Sequence, residues 1–100
     1  MILKIQDKEY AIKYDINALV FLEELTGKTV SEIFTNQGFG IATLRYLFAA
    51  GLKKHHKDLD ITAAGDLMQQ FLDVQGTLED FSQLITKAFN EANLVKKTKK

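Results

Sequence analysis

Apolar and polar positions change their period once along this chain, near residue 15. Before that point they alternate: Leu3 and Ile5 with Lys4 and Gln6, then Tyr10, Ile12 and Tyr14 with Ala11 and Lys13. A period of two marks strands with one buried face, so residues 1–14 predict a β-hairpin turning near Asp7–Lys8. The turn lacks an Asn-Gly pair, which leaves its type and register open. A lone two-stranded hairpin is marginal in water, so its apolar face is expected to rest on helices. Its free edges could also pair with another chain.

After residue 15 the period is helical, and the chain contains no proline to interrupt it. Asp15 is placed to N-cap a first helix running to about Thr26, with Gly27 as its stop. Thr29 and Glu32 have capping-box spacing and open a short helix through about Phe34. The stretch "TNQGFG" reads as a flexible break. A third helix is expected over about 40–56, with Ile41, Leu44, Phe48, Leu52 and His55 on one face. The stretch "KDLDIT" reads as a loop whose Asp60 or Thr62 caps a fourth helix over about 62–74. Thr77 and Asp80 repeat the capping spacing before a fifth, striped by Leu78, Phe81, Leu84, Ile85, Ala88, Ala92 and Val95. Ala49-Ala50-Gly51 puts three small residues together inside the third helix. Glycine there costs about 1 kcal/mol against alanine, which implies close approach by another backbone.

The first helix is unusual in how much of its circumference is apolar. At about 100° per residue, Ala18, Leu19, Phe21, Leu22 and Leu25 cover a broad arc, which Ile16 and Val20 widen. Only Asn17, Glu23 and Glu24 form a polar sector. Such a helix is either central to its own fold or partly exposed for a partner.

Composition narrows the classes. One hundred residues suit one domain, expected over 1–95 with a flexible basic tail at 96–100. Thirteen basic and thirteen acidic residues cancel, which argues against a nucleic-acid or membrane-surface protein. The absence of cysteine excludes a disulfide framework, a thiol nucleophile and Cys-ligated zinc. No apolar run is long enough for a membrane span and no signal peptide is visible, so the cytoplasm is the expected location.

Candidate chemistry is sparse. His55 and His56 are adjacent, so on a regular helix they diverge by about 100° and cannot chelate one ion together. His55 is expected at the core edge and His56 in water, with Asp58 and Asp60 near. Glu23 and Glu24 diverge likewise and read as a solvated polar sector. There is no phosphate-binding glycine motif and no nucleophile elbow. The chain is expected not to be an enzyme and to take no cofactor, metal or small-molecule substrate. Arg45, Lys53, Lys54 and Lys57 on the third helix leave a nucleic-acid-binding regulator as one alternative, which the many acids after residue 57 weaken.

Three blocks, taken in order, resemble the tail assembly chaperones of long-tailed bacteriophages and prophages, including those of Gram-positive hosts. They are the entry Asp15 to Ala18, the stretch Leu22 to Lys28 (LEELTGK), and the arrangement Leu44, Arg45, Leu47, Ala50, Gly51, Leu52, His56, Leu59, Thr62, Gly65 and Leu67. The resemblance spans nearly the whole chain. It implies a non-enzymatic factor that binds the tape measure protein and keeps it soluble in the host cytoplasm until tail-tube subunits polymerise. It also implies absence from the mature virion, self-association into a homo-oligomer, and contact with the tail tube protein as a further partner. A frameshifted longer form is a family trait, and the closing "VKKTKK" is compatible with slippery codons or with a plain solubilising tail. A structural tail subunit is the other alternative.

The expected fold is therefore α+β and mainly α, an N-terminal β-hairpin packed on about five helices. The expected partner-binding residues are Val20, Phe21 and Glu24 on the first helix, with Tyr46 and Lys53 on the outer side of the third.

Overall fold

A computed structural model describes residues 1–35 and 40–92. Strands β1 (Ile2–Ile5) and β2 (Lys8–Ala11) form a two-stranded antiparallel sheet. It is followed by helices α1 (Ile16–Thr26), α2 (Val30–Thr35), α3 (Ile41–Leu52), α4 (Ile61–Val74) and α5 (Leu78–Ala92). The fold is α+β and mainly α, as the change of period implies. Residues 36–39 of the expected break, Val95 and the basic tail at 96–100 lie outside the described residues.

The register pairs Ile5 with Lys8, which leaves Gln6 and Asp7 as the turn, one position earlier than the Asp7–Lys8 expected. Gln6 takes the left-handed backbone at φ 54°, a conformation two-residue hairpin loops require. The Gln75 side chain at the end of α4 holds that turn. Its Oε1 accepts from the Gln6 N–H at 2.5 Å and its Nε2 donates to the Lys4 carbonyl at 3.0 Å. On the other edge, the Ala11 N–H donates to His56 Nε2 at 3.0 Å. Each sheet edge thus has an outward backbone group satisfied from within the chain, which reduces the opening for another strand.

Alternation does place the hairpin's apolar face inward. Leu3, Ile5, Ile12 and Tyr14 join Leu22, Leu44, Leu47, Phe48, Phe71, Phe81 and Ile85 in one buried cluster. Burial of each large side chain is worth about 1.5–3 kcal/mol. Tyr14 is the largest of the fully buried set, and its hydroxyl donates to the Leu47 carbonyl at 2.6 Å. Burial pushes that hydroxyl far above the ordinary phenol range, so it remains a donor. Edge-on packing against Phe89 ties the same ring to α5.

Gly51 is where chain 12–14 crosses α3. The Lys13 N–H donates to the Gly51 carbonyl at 2.9 Å. A Cβ on Gly51 would lie 2.7 Å from Ile12 Cγ2 and 2.8 Å from Tyr14 Cζ. The small residues of α3 serve internal packing, since Ala49, Ala50 and Gly51 are all buried.

Capping follows the sequence closely. Asp15 Oδ1 accepts from Ala18 N–H, and Gly27 ends α1 in the left-handed conformation at φ 69°. Thr29 and Glu32 form the reciprocal box on α2, and Thr77 and Asp80 do the same on α5. Asp60, rather than Thr62, caps α4. The expected third helix is too long at its C-terminus. It ends at Leu52, and the chain turns through His56, whose N–H reaches the Leu52 carbonyl at 2.9 Å. Ile41 is not a core residue: at the first helical position nothing described covers it, and it is 64% exposed.

Candidate partner-binding surface

The surface grows out of the surplus on α1. Only Ala18 and Leu22 are fully buried; Leu19, Phe21 and Leu25 are half-buried, and Ile16 and Val20 point away from the core, 65% and 47% exposed. Ile16 and Val20 are four residues apart and so share one side of the helix. Glu24 is exposed one turn beyond Val20. Among the described residues, this apolar pair along the first half of α1 takes no part in the core.

Glu23, expected to be a solvated partner of Glu24, has a structural task. Its Oε2 accepts from the Val30 N–H at 2.8 Å. It satisfies the first amide of α2, one of the donors that a helix start leaves without an intrahelical partner. The link ties the start of α2 to the end of α1.

Around α1 toward α3, the Phe21 ring lies beneath the Lys53 ammonium, 4.4 Å from Nζ to ring centroid. Such a pairing is worth about 0.5–1 kcal/mol at an exposed site. The two residues open a groove of about 400 Å³, whose other walls are Ala49, Lys57, Leu59, Asp60, Ile61 and Thr62. A second hollow of about 370 Å³ adjoins it across Lys53 and Lys57, reaching Asp15, Asn17 and Lys54. Lys54 pairs with Asp15 at 3.7 Å. The Ala18 backbone N–H, and secondarily Lys54, hold the Asp15 carboxyl below its usual range.

Of the expected contact residues, the structure brings Phe21 and Lys53 together. Val20 and Glu24 lie farther round α1, outside the groove. Tyr46 sits half-buried on α3, two turns before Lys53, with the Arg45 guanidinium carbon 5.9 Å from its ring centroid. Lys53 itself is the C-cap of α3, not a residue within it. Lys57, otherwise part of the basic cluster, and Leu59 and Ile61 join the groove without being among the expected partner-binding residues. The available signal was a polar stretch, "KDLDIT", carrying two large apolar residues that a plain loop has no use for.

The histidines exchange their expected places. His55 is exposed, whereas His56 is half-buried, accepts the Ala11 N–H and packs its ring 5.5 Å from that of Tyr10. The reason is the early end of α3, which swings His56 back to the hairpin. In accepting, Nε2 is the ring nitrogen without hydrogen, which leaves Nδ1 as the donor of that ring. Among the described residues, no three of His, Asp and Glu gather where they could share a metal ion. No helix among them is long and apolar enough to cross a membrane.

No family model, curated protein or solved structure matches this chain.

Proposed function

We propose that the chain is a phage tail assembly chaperone that acts by protein–protein contact, binding the tape measure protein and keeping it soluble during tail assembly. The observation that carries this reading is the outward apolar pair Ile16 and Val20 on α1, beside the groove at Phe21 and Lys53. A tape measure helix without its tube exposes a long apolar stripe that aggregates. Many small domains, each offering an apolar helix face and groove, would cover that stripe in the helix-to-groove manner. The resemblance in the blocks at Asp15–Ala18, Leu22–Lys28 and Leu44–Leu67 supports the same assignment. On this reading the protein works in the host cytoplasm as a homo-oligomer, leaves before the virion matures, and is accompanied by a minor frameshifted form.

The test is co-expression with the longest open reading frame just downstream in its genome. A soluble complex holding many copies of the small chain is the expected result. Aggregation of the long protein beside a monomeric small chain would overturn the reading. Recovery of the small chain in purified particles would instead favour a structural tail subunit.

A further inference from the structure

We propose that the groove between α1 and the α3–α4 connection takes an acidic amphipathic helix. An apolar side chain seats on Phe21, Ala49, Leu59 and Ile61, and flanking carboxylates meet Lys53 and Lys57. The inference rests on the chaperone reading for the identity of the client. The chemistry of the occupant is argued from the groove itself.

The floor is apolar and half-open: Phe21, Leu59 and Ile61 pack against the core with one side left over. Its volume of about 400 Å³ falls in the range of clefts that hold ligands. The charges around it are unequally committed. Asp60 Oδ1 accepts from Ala63 N–H at 2.8 Å, and Asp15 is held by Ala18 N–H and Lys54. Lys53 and Lys57 are exposed and form no ion pair among the described residues. Two lysines thus face the one acid that lines the groove, Asp60, whose carboxylate keeps its charge while it caps α4, so the lining is net positive directly beside an apolar seat. That combination selects a helix whose apolar stripe is bordered by Glu or Asp.

Other occupants fit less well. Nucleic acid would meet the lysines but offers its phosphates nothing for the apolar floor. A second copy of the chain would have to present acid and apolar residues together. On α4 the exposed apolar residues, Leu72 and Val74, lie about 160° apart and form no single stripe. On α1, Ile16 and Val20 with Glu24 offer only a short stripe bordered by acid, and a concentration-dependent shift at the groove without peptide would reveal that occupant.

The test uses two synthetic helical peptides with one shared apolar stripe, flanked by Glu in the first and Lys in the second. Each is titrated into the isotope-labelled full chain. The Glu peptide is expected to shift the amides of Phe21, Lys53, Lys57 and Ile61. Its affinity should fall about tenfold in the K53E/K57E variant and severalfold in high salt. The Lys peptide should bind that variant better than it binds the wild type. Both lysines are exposed, so the variant is expected to retain the fold; a cooperative thermal transition whose midpoint falls only by what the lost Lys53–Phe21 contact explains would verify it. Equal binding of the two peptides, no binding, or shifts confined to Ile16 and Val20 overturns the proposal. So does tighter binding of a duplex DNA fragment at the same residues, or a concentration-dependent shift there without peptide. If K53E/K57E still co-purifies undiminished with the long downstream protein, the chaperone reading survives and the groove is not its site.

Discussion

Replacing Gly51 by alanine isolates the contact on which the hairpin's docking depends. The new Cβ would stand 2.7 Å from Ile12 Cγ2, and 2.8 and 2.9 Å from Cζ and the hydroxyl oxygen of Tyr14. Neither neighbour can withdraw freely. Ile12 and Tyr14 are 3% and 2% exposed, and Tyr14 is pinned by its 2.6 Å bond to the Leu47 carbonyl and by the Phe89 ring. Overpacking of this kind costs about 1–3 kcal/mol. Displacing the Tyr14 hydroxyl adds the desolvation of a buried carbonyl, another ~1–3 kcal/mol if the bond is lost outright. Against this, alanine recovers about 0.5 kcal/mol of helix propensity near a helix end. The net is a loss of about 2 kcal/mol. With an m-value of about 1–3 kcal/mol/M, the urea midpoint read by circular dichroism falls by about 1 M. Gly65 supplies the control, because its Cβ would meet a single side chain, Arg45, nearest at Cδ, 3.1 Å away, which need give only by a few tenths of an ångström. Gly65→Ala is expected to be neutral or stabilising by up to about 1 kcal/mol. Wild-type stability in Gly51→Ala, or equal effects of the two substitutions, would refute the argument.

Other expectations follow from single contacts. Gln75→Ala removes both bonds to the hairpin turn, costing about 1 kcal/mol, and the Gln6 amide should exchange with solvent markedly faster, while α3 core amides that open only on global unfolding should speed by no more than about fivefold. Glu23→Ala leaves the first amide of α2 without its acceptor and should cost about 1 kcal/mol, whereas Glu24→Ala should fall within about 0.5 kcal/mol of wild type; thermal melts of the pair discriminate them. Asp15 is held below its ordinary 3.8 chiefly by the Ala18 amide, and Glu32 below its ordinary 4.5 chiefly by the Thr29 amide. A lowered folded-state value means that the stabilisation is complete above about pH 5 and is lost as pH falls through those lowered values. The urea midpoint should drop on acidification, and by less in D15N/E32Q; an identical drop in both proteins would dismiss these two carboxylates as the cause.

Local chemistry was legible wherever the information lay within a few residues. The alternation of Leu3, Ile5, Ile12 and Tyr14, the caps at Asp15, Thr29, Asp60 and Thr77, and the stop at Gly27 all depend on neighbours in sequence. What the sequence does not carry is contact between distant positions. His56 turns inward because its partner, the Ala11 amide, is 45 positions away. Glu23 is exposed, as its place in the polar sector implies, but its bond to the Val30 amide is invisible on a helix wheel, which contains no second helix for a carboxylate to reach.

By itself, then, the sequence determined the element types, the inward face of the hairpin and of α5, and the excess of apolar residues on α1. A two- or 3.6-residue period and a cap need no knowledge of the rest of the chain. Tertiary structure decided how that excess is spent: Ala18 and Leu22 go to the core, Phe21 to a groove shared with Lys53 and Ile61, and Ile16 and Val20 to the surface. It also decided that Gly51 must be small. These outcomes depend on which backbone arrives at which face, and that is fixed only when hairpin and helices close around one core.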